Sequence, residues 1–247
     1  NAVTLGAEHV VTLPDAERWL IDRLADCEEG PARDGRVIAV MGAGAGSGAS
    51  TFASTLALAA ADRALRVLLV DADPLGGGLD VLLGLEDAPG IRWTDLAETR
   101  GRLGVQSLAS SLPGGHGLSV LSWGRNAGAA LSVEAMSAVL DAAARGFDIV
   151  IVDLPRHLDG PTEVVLSRAE TTLLVTSNRV RTTAAAARIV AELDGRCSAV
   201  SIVLRVEPKG LRDHAVEDAL TVPVVARVPT MPSLSSRADD GEPPHLR

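Results

Sequence analysis

Hydrophobic residues fall along this chain in short unbroken runs separated by stretches of helical repeat. From residue 36 onward, apolar runs at 37–41, 67–70, 118–123, 149–152, 172–176, 200–204 and 222–228 predict strands. Between them, 50–63, 133–145, 163–169, 182–193 and 212–220 carry apolar residues at helical spacing and predict helices. Strands that are apolar throughout and rich in β-branched residues are buried on both faces, as in a parallel sheet covered by helices. The expected fold class is therefore α/β, a mostly parallel sheet with helices on both faces. The segment 76–113 is Gly-rich, and only two short helical pieces, 79–83 and 93–98, are predicted within it.

The pattern is different at the two ends. Residues 8–14 read as a short strand ending at Pro14, and Asp15 can cap a helix carrying Ala16, Trp19, Leu20, Leu24 and Cys27 on one face. One strand and one helix cannot build a core. Residues 1–30 therefore read as the last strand and helix of a preceding domain, or else as a simple N-terminal extension packed on the main domain, joined by a polar linker at 31–35 to a main domain spanning 36–232. Residues 233–247 form a polar, acidic tail. The chain opens at Asn1 rather than at a methionine and reads as a piece of a longer protein.

Composition narrows the function. The 247 residues are 47% hydrophobic but only 2% aromatic, with no tyrosine, so the core must be built from Ala, Val and Leu. A formal net charge of −9 argues against a general affinity for nucleic acid or anionic membrane. No apolar run approaches the ~18 residues that a membrane span needs, and Cys27 and Cys197 show no metal-ligand spacing. The expected location is cytoplasmic. Lys209 is the only lysine.

The chemistry concentrates in three stations. In the first, the apolar run 37–41 leads into the small-residue loop Gly44-Ala45-Gly46-Ser47-Gly48-Ala49 and then Ser50-Thr51 at a helix start. A strand, a glycine loop and a helix N-terminus make an anion cradle, because backbone N–H groups converge there and the helix dipole adds partial positive charge. The phosphate-loop pattern G-x-x-x-x-G-K-[ST] is nevertheless broken. With Ser50 as the metal-binding hydroxyl, Ala49 fills the lysine slot and Ala43 the first glycine slot. The second station is the strand 67–70 running into Asp71-Ala72-Asp73-Pro74. Its two carboxylates, two residues apart on an extended segment, are expected to face the same way, toward a magnesium ion or an attacking water. The third is the apolar strand ending in Asp153, followed by Leu154-Pro155, a Walker B pattern whose carboxylate contacts magnesium through water.

In this order the stations resemble the MinD/ParA group of deviant Walker ATPases. The segments Leu-Leu-Val-Asp-Ala-Asp-Pro-Leu-Gly-Gly-Gly-Leu-Asp (68–80), Leu-Gly-Leu-Glu-Asp-Ala-Pro-Gly-Ile-Arg-Trp (83–93) and Val-Asp-Leu-Pro-Arg (152–156) are similar to its CpaE/TadZ-like branch in actinobacteria, which includes Ssd-like septum-site-determining proteins. The resemblance implies that residues 44–51 cradle ATP or ADP. It implies that Ser50, Asp153 and Asp71 attend magnesium, that Asp71 and Asp73 serve hydrolysis and switching, and that residues 1–30 are the remnant of a receiver-like domain. It also exposes departures. Gly44 stands in the slot of the family's signature lysine, Ala49 in that of the ordinary Walker lysine, and Arg205 in the slot of an adenine-reading asparagine.

The implied function is a positioning protein for the septum or for a pilus or secretion apparatus. It would use nucleotide weakly, work through protein partners of that machinery, and self-associate, if at all, as a homodimer. An alternative is a working ATP-dependent switch in which Arg156, Arg179 or Arg181 replaces the lysines. A third reading is a Rossmann NAD site, since Gly44-Ala-Gly46-Ser-Gly48-Ala49 satisfies G-x-G-x-x-[GA] and Asp71 ends the next strand; Asp71 lies 27 residues after Gly44, beyond the usual ~20. The helix at 182–193 with Arg179, Arg181 and Arg188 reads as a solvated face rather than a DNA-binding one.

Overall fold

A computed structural model of the chain describes residues 11–14, 16, 17, 20, 34–96, 99, 101–125 and 130–231. By contacts the chain divides into two units, Asn1–Ala32 and Arg33–Arg247. In the first, Glu17 and Leu20 are helical. The strand expected at 8–14 is not found over its described part: residues 11 and 12 are irregular, and Leu13 and Pro14 lie in a turn. The rest of that strand and of the helix expected up to 28, and the tail expected at 233–247, lie outside the described residues.

The second unit is an eight-stranded sheet with helices between the strands. In chain order the elements are β1 (Arg36–Gly42), α1 (Ala49–Ala61), β2 (Val67–Asp71), α2 (Leu79–Leu82), α3 (Trp93–Leu96), α4 (Val105–Ser111), β3 (Gly114–Gly115), β4 (Leu118–Leu121), α5 (Val133–Gly146), β5 (Ile149–Leu154), α6 (Gly160–Arg168), β6 (Thr171–Ser177), α7 (Val180–Leu193), β7 (Val200–Val206), α8 (Asp213–Leu220) and β8 (Val224–Pro229). The strand order is β3-β4-β2-β5-β1-β6-β7-β8, and every pairing is parallel except that of β3 with β4.

Alternation along the central strands divides the core in two. Val40, Val67, Leu69 and Ile151 point to the face covered by α1 and join its Ala53, Ala57, Ala60 and Ala61. Val37, Ala39, Met41, Leu68, Val70, Val150 and Val152 point to the opposite face and join Ala135, Met136, Val139 and Leu140 of α5 and Val165 and Leu166 of α6. The continuous apolar runs are thus two interleaved period-two patterns, each with its own helix layer. The alanines of α1 let it lie close to the sheet, which is how a chain with few aromatics fills its core. β8 alternates half-buried and exposed residues, as befits an edge strand.

Two elements were not expected from the sequence. α4 is seven residues with serines at Ser107, Ser110 and Ser111, and it buries only Val105 and Leu108. β3 is a pair of glycines with no side chains to signal a strand. The strand expected at 118–123 ends at Leu121, because Ser122 and Trp123 leave the ladder for side-chain roles described below. The last strand starts at Val224 rather than 222, after Thr221 with φ of 58° and Pro223. α6 starts three residues earlier than expected. Asp159 caps it by accepting from the Thr162 N–H at 3.0 Å, and Pro161 needs no helical N–H partner there.

This strand order places the site. From β1 the chain leaves toward β2 on one side, and from β5 it crosses to β6 on the other, so the loops after β1 and β5 diverge. The crevice between them, at the carboxyl ends of the strands, is where open α/β sheets take ligands.

Trp93 is fully buried; its indole N–H donates to the Asp71 carbonyl at 2.6 Å, and its ring centroid lies 6.1 Å from that of Trp123. Trp93→Ala removes this packing and is expected to cost ~3–5 kcal/mol of stability in urea denaturation.

Candidate functional site

The turn after β1 is made possible by glycine. Gly46 and Gly48 have φ of 69° and 90°, a region that residues with a Cβ rarely occupy. Gly48 is the N-cap of α1 and supplies no side-chain cap. Within the loop the Ser47 N–H donates to the Gly44 carbonyl at 3.1 Å, and the Phe52 N–H returns to the Gly48 carbonyl at 2.8 Å. The N–H groups of Gly46, Gly48, Ala49, Ser50 and Thr51 have no backbone acceptor among the described residues. The loop lines a cavity of about 360 Å³ together with Asp73, Asp153 and Arg156. The structure thus brings the first and third stations together.

The strand ends supply the acids. Asp71 and Asp153 sit side by side in register on β2 and β5. Both are buried, and desolvation pushes the Asp71 carboxyl up to about 6 and that of Asp153 up to about 7. The Ser50 hydroxyl, at the start of α1, shares the cavity with the Asp153 carboxylate at the end of β5 and draws its pKa down against the larger effect of burial.

Asp71 is engaged differently. One of its oxygens accepts from the Asp73 N–H at 3.1 Å, and the other from the Leu79 N–H and the Ser122 hydroxyl, each at 3.0 Å. Ser122 also lies 3.0 Å from Asp80, and Asp80 pairs with Arg92 at 3.3 Å. Arg92 in turn donates to the carbonyls of Leu85, Ala88 and Gly90. Asp71 therefore anchors a network that holds the chain from 79 to 92 against the sheet.

The expected common direction of Asp71 and Asp73 is not that of a continuing strand. β2 ends at Asp71, and Asp73 lies in the following turn, where its side chain accepts from the Leu75 N–H at 3.0 Å. Both nonetheless border one cavity of about 310 Å³ with Ser50, Thr51 and Asp153. The buried, fully bonded Asp71 side chain is not available to a ribose, which removes the acid that a Rossmann NAD site requires.

The two lysine slots are open in different ways. Ala49 is the first residue of α1. Gly44 is in ordinary backbone geometry, and a Cβ there would meet only the Thr182 methyl, at 3.9 Å. Of the arginines weighed as substitutes, Arg156 lines the loop cavity and has no side-chain partner among the described residues. Arg181 borders the next cavity, and Arg179 is tied to Glu207.

Arg205 reaches the loop from β7. It donates to the Gly46 carbonyl at 2.9 Å and to Glu207 at 3.2 Å, although it does not line the loop cavity. Ser122, Asn178 and Glu207 complete the surroundings and carry no motif. Their common signal is a polar residue at or just past the end of an apolar strand. No group of three His, Cys, Asp or Glu side chains is arranged to hold a metal among the described residues.

Residues 1–35 match the family model described as "Rv3660c-like, CheY-like N-terminal domain". Over 244 residues the chain is 41% identical to the uncharacterized protein Rv3660c of Mycobacterium tuberculosis, covering 97% of this chain and 68% of that one. The chain belongs to the Rv3660c-like family. The fold of this Rv3660c-like chain is that of the MinD/ParA P-loop ATPases. A ParA family ATPase from Chlorobium tepidum superposes with a TM-score of 0.76 at 21% identity, over 84% of this chain and 89% of that one. The septum site-determining protein MinD of Pyrococcus horikoshii, solved with Mg-ADP, does so at 0.70 and 19%, over 85% and 87%. No helix among the described residues of this family member is long and apolar enough to cross a membrane.

The raised acidity constants set a pH dependence. A carboxyl whose folded value lies above its unfolded one favours the folded state at low pH, and that contribution is lost as pH rises through the folded value. In metal-free buffer, Asp153→Asn is therefore expected to raise the melting temperature by several degrees at pH 8. The gain should shrink as pH falls through about 7 and vanish near pH 4. Thermal melts across this range check it.

Proposed function

We propose that this chain is a nucleotide-binding positioning protein of the MinD/ParA type, in a CpaE/TadZ- and Ssd-like branch, with a degenerate phosphate loop. It binds ATP or ADP weakly with magnesium and hydrolyses very slowly. It works by recruiting protein partners of the septum or of a pilus or secretion apparatus. Residues 1–30 are the remnant of a receiver-like domain in this reading.

One observation carries it. The Ser50 hydroxyl meets the buried Asp153 carboxylate beside a cradle of unengaged N–H groups, while both lysine positions, Gly44 and Ala49, lack a cation. The donor set fits magnesium. A hard cation takes one hydroxyl and one carboxylate from the protein and fills the rest of its shell with water and phosphate, so no three-acid cluster is needed. The burial that raises Asp71 and Asp153 is the electrostatic condition that a divalent cation relieves. When bound, magnesium supplies charge neutralisation at the phosphates. The chain itself supplies the N–H cradle at 46–51, sets the Ser50 hydroxyl and the Asp153 carboxylate on one cavity, and keeps Asp73 on the adjoining one.

Magnitudes separate binding from turnover. A missing charge-assisted bond to phosphate weakens affinity by about ten- to a hundred-fold. A missing cation at transferring phosphate costs about 10³–10⁵ in rate. Binding therefore survives the loss of lysine better than hydrolysis does. A second reading, a working switch ATPase, is favoured by the unpaired Arg156 at the loop cavity.

Calorimetry with ATP-Mg and a phosphate-release assay on the same sample decide between the two. The scaffold reading expects weak ATP binding without steady turnover. Steady turnover that is lost in Arg156→Ala establishes the switch instead. Ala49→Lys is expected to tighten ATP-Mg binding by about ten- to a hundred-fold. An unchanged dissociation constant would mean that the first turn of α1 does not face the phosphates.

A further inference from the structure

A cavity of about 820 Å³ adjoins the phosphate loop and shares part of its wall. Its walls are Ala43–Ala45 of the loop, the start of α7 from Asn178 to Ala185, and Lys209–Leu211 after β7. Its volume is in the range of sites that hold small organic ligands.

The cavity is braced before any ligand arrives. The buried Asn178 side chain accepts from the Glu207 N–H at 2.9 Å and donates to the carbonyls of Glu207 at 3.2 Å and Leu211 at 3.1 Å. Gly210 packs so close to this carboxamide that a Cβ would fall 2.1 Å from its carbon. Glu207 is shared by Arg179 and Arg205, and both contacts hold its carboxyl below the usual carboxylate range. Through Arg205 the same cluster grips the Gly46 carbonyl.

Charge is distributed unevenly around it. Elsewhere on the domain several arginines are matched to acids: Arg36 to Glu170, Arg125 to Asp87, Arg168 to Asp141, Arg196 to Glu163, and Arg227 to Asp213 and Glu217. Arg63 donates to the Ala59 carbonyl and Arg66 lies over the Phe147 ring. Besides these, five basic side chains among the described residues have no bonded partner, namely Arg156, Arg181, Arg188, Lys209 and Arg212. Three of the five, Arg156, Arg181 and Lys209, line this one cavity, and no carboxylate does. The walls between these cations are apolar, with Ala45, Val180, Ala185 and Leu211, and Val180 is 67% exposed. An apolar floor with unpaired cations at its rim, on a chain of net charge −9, selects a ligand that is anionic and carries an apolar body.

We propose that this cavity is a second ligand site, distinct from the phosphate loop, for a small organic phosphate carrying two or more negative charges. Arg181 and Lys209 bind the phosphate groups, and Val180, Ala185 and Leu211 take the apolar body. Because the wall and the loop share Gly44 and Ala45 and are joined by Arg205, the site is built into the same rigid frame as the nucleotide cradle.

The test uses the intact chain in EDTA at low salt, with inorganic tripolyphosphate and 1-naphthyl phosphate as probes and calorimetry as the readout. Both cations are exposed surface side chains, so the double variant Arg181→Ser/Lys209→Ser should fold, as circular dichroism and melting will show. It is expected to weaken tripolyphosphate binding at least tenfold. Arg188→Ser, which removes an unpaired cation outside the cavity, should leave that binding within a factor of three, and Ala49→Glu, which places a negative charge in the loop, reports on the loop's own share. 1-Naphthyl phosphate is expected to bind at least fivefold more tightly than inorganic phosphate. Loss that follows Ala49→Glu and spares the double variant would assign the anion to the loop and overturn the proposal. So would the absence of saturable binding in the unmodified chain, or equal affinities for the two monophosphates. ATP-Mg binding is scored separately, and the part of it lost in Ala49→Glu reports on the loop.

Discussion

Two buried carboxylates on adjacent strands set the terms for this end of the molecule. Asp71 and Asp153 lie in register on β2 and β5, deep enough that burial raises both. Such a pair is costly to ionise unless its charge is met. The chain meets it in two ways. Asp153 has the Ser50 hydroxyl of α1 beside it. Asp71 takes two backbone N–H groups and Ser122, and so ties β2 to the segment that follows it. The loop, the first turn of α1 and the path from 73 to 93 all depend on these two anchors.

The same arrangement separates two functions that one aspartate could be asked to perform. Asp153 faces the cavity beside the Ser50 hydroxyl, the pair to which the proposed function gives magnesium. Asp71 is committed to architecture, with Asp80, Arg92 and Trp93 behind it. The Leu-Gly-Leu-Glu-Asp-Ala-Pro-Gly-Ile-Arg-Trp segment gains a physical meaning from this. Its arginine closes on the carbonyls of its own turn, and its tryptophan closes on the Asp71 carbonyl.

Most of the fold was legible because burial on both faces leaves long apolar runs, and every parallel strand of the sheet produced one. What escaped had no such trace. β3 is two glycines, and α4 is too short and serine-rich to show a period. In the site, the glycine loop, Ser50 and Asp153 could be read from spacing, since each sits at a fixed offset from a strand end. The network of Ser122 could not, because it joins residues 51 and 42 positions apart. Nor could the clamp of Asn178 on 207–211, or the grip of Arg205 on Gly46. These arise where different strands end side by side, and strand order is not written in any local window.

Gly44 stands apart from the other glycines of the loop. A glycine in a phosphate loop is usually explained by a turn that nothing else can make, and Gly46 and Gly48 fit that explanation. Gly44 does not: its backbone is ordinary, and the space where a Cβ would stand is free apart from the Thr182 methyl at 3.9 Å. The backbone has kept a berth for a side chain that the sequence does not supply. Crowding therefore does not account for the bare position, and in this fold steric fit and electrostatic function at residue 44 are separable properties.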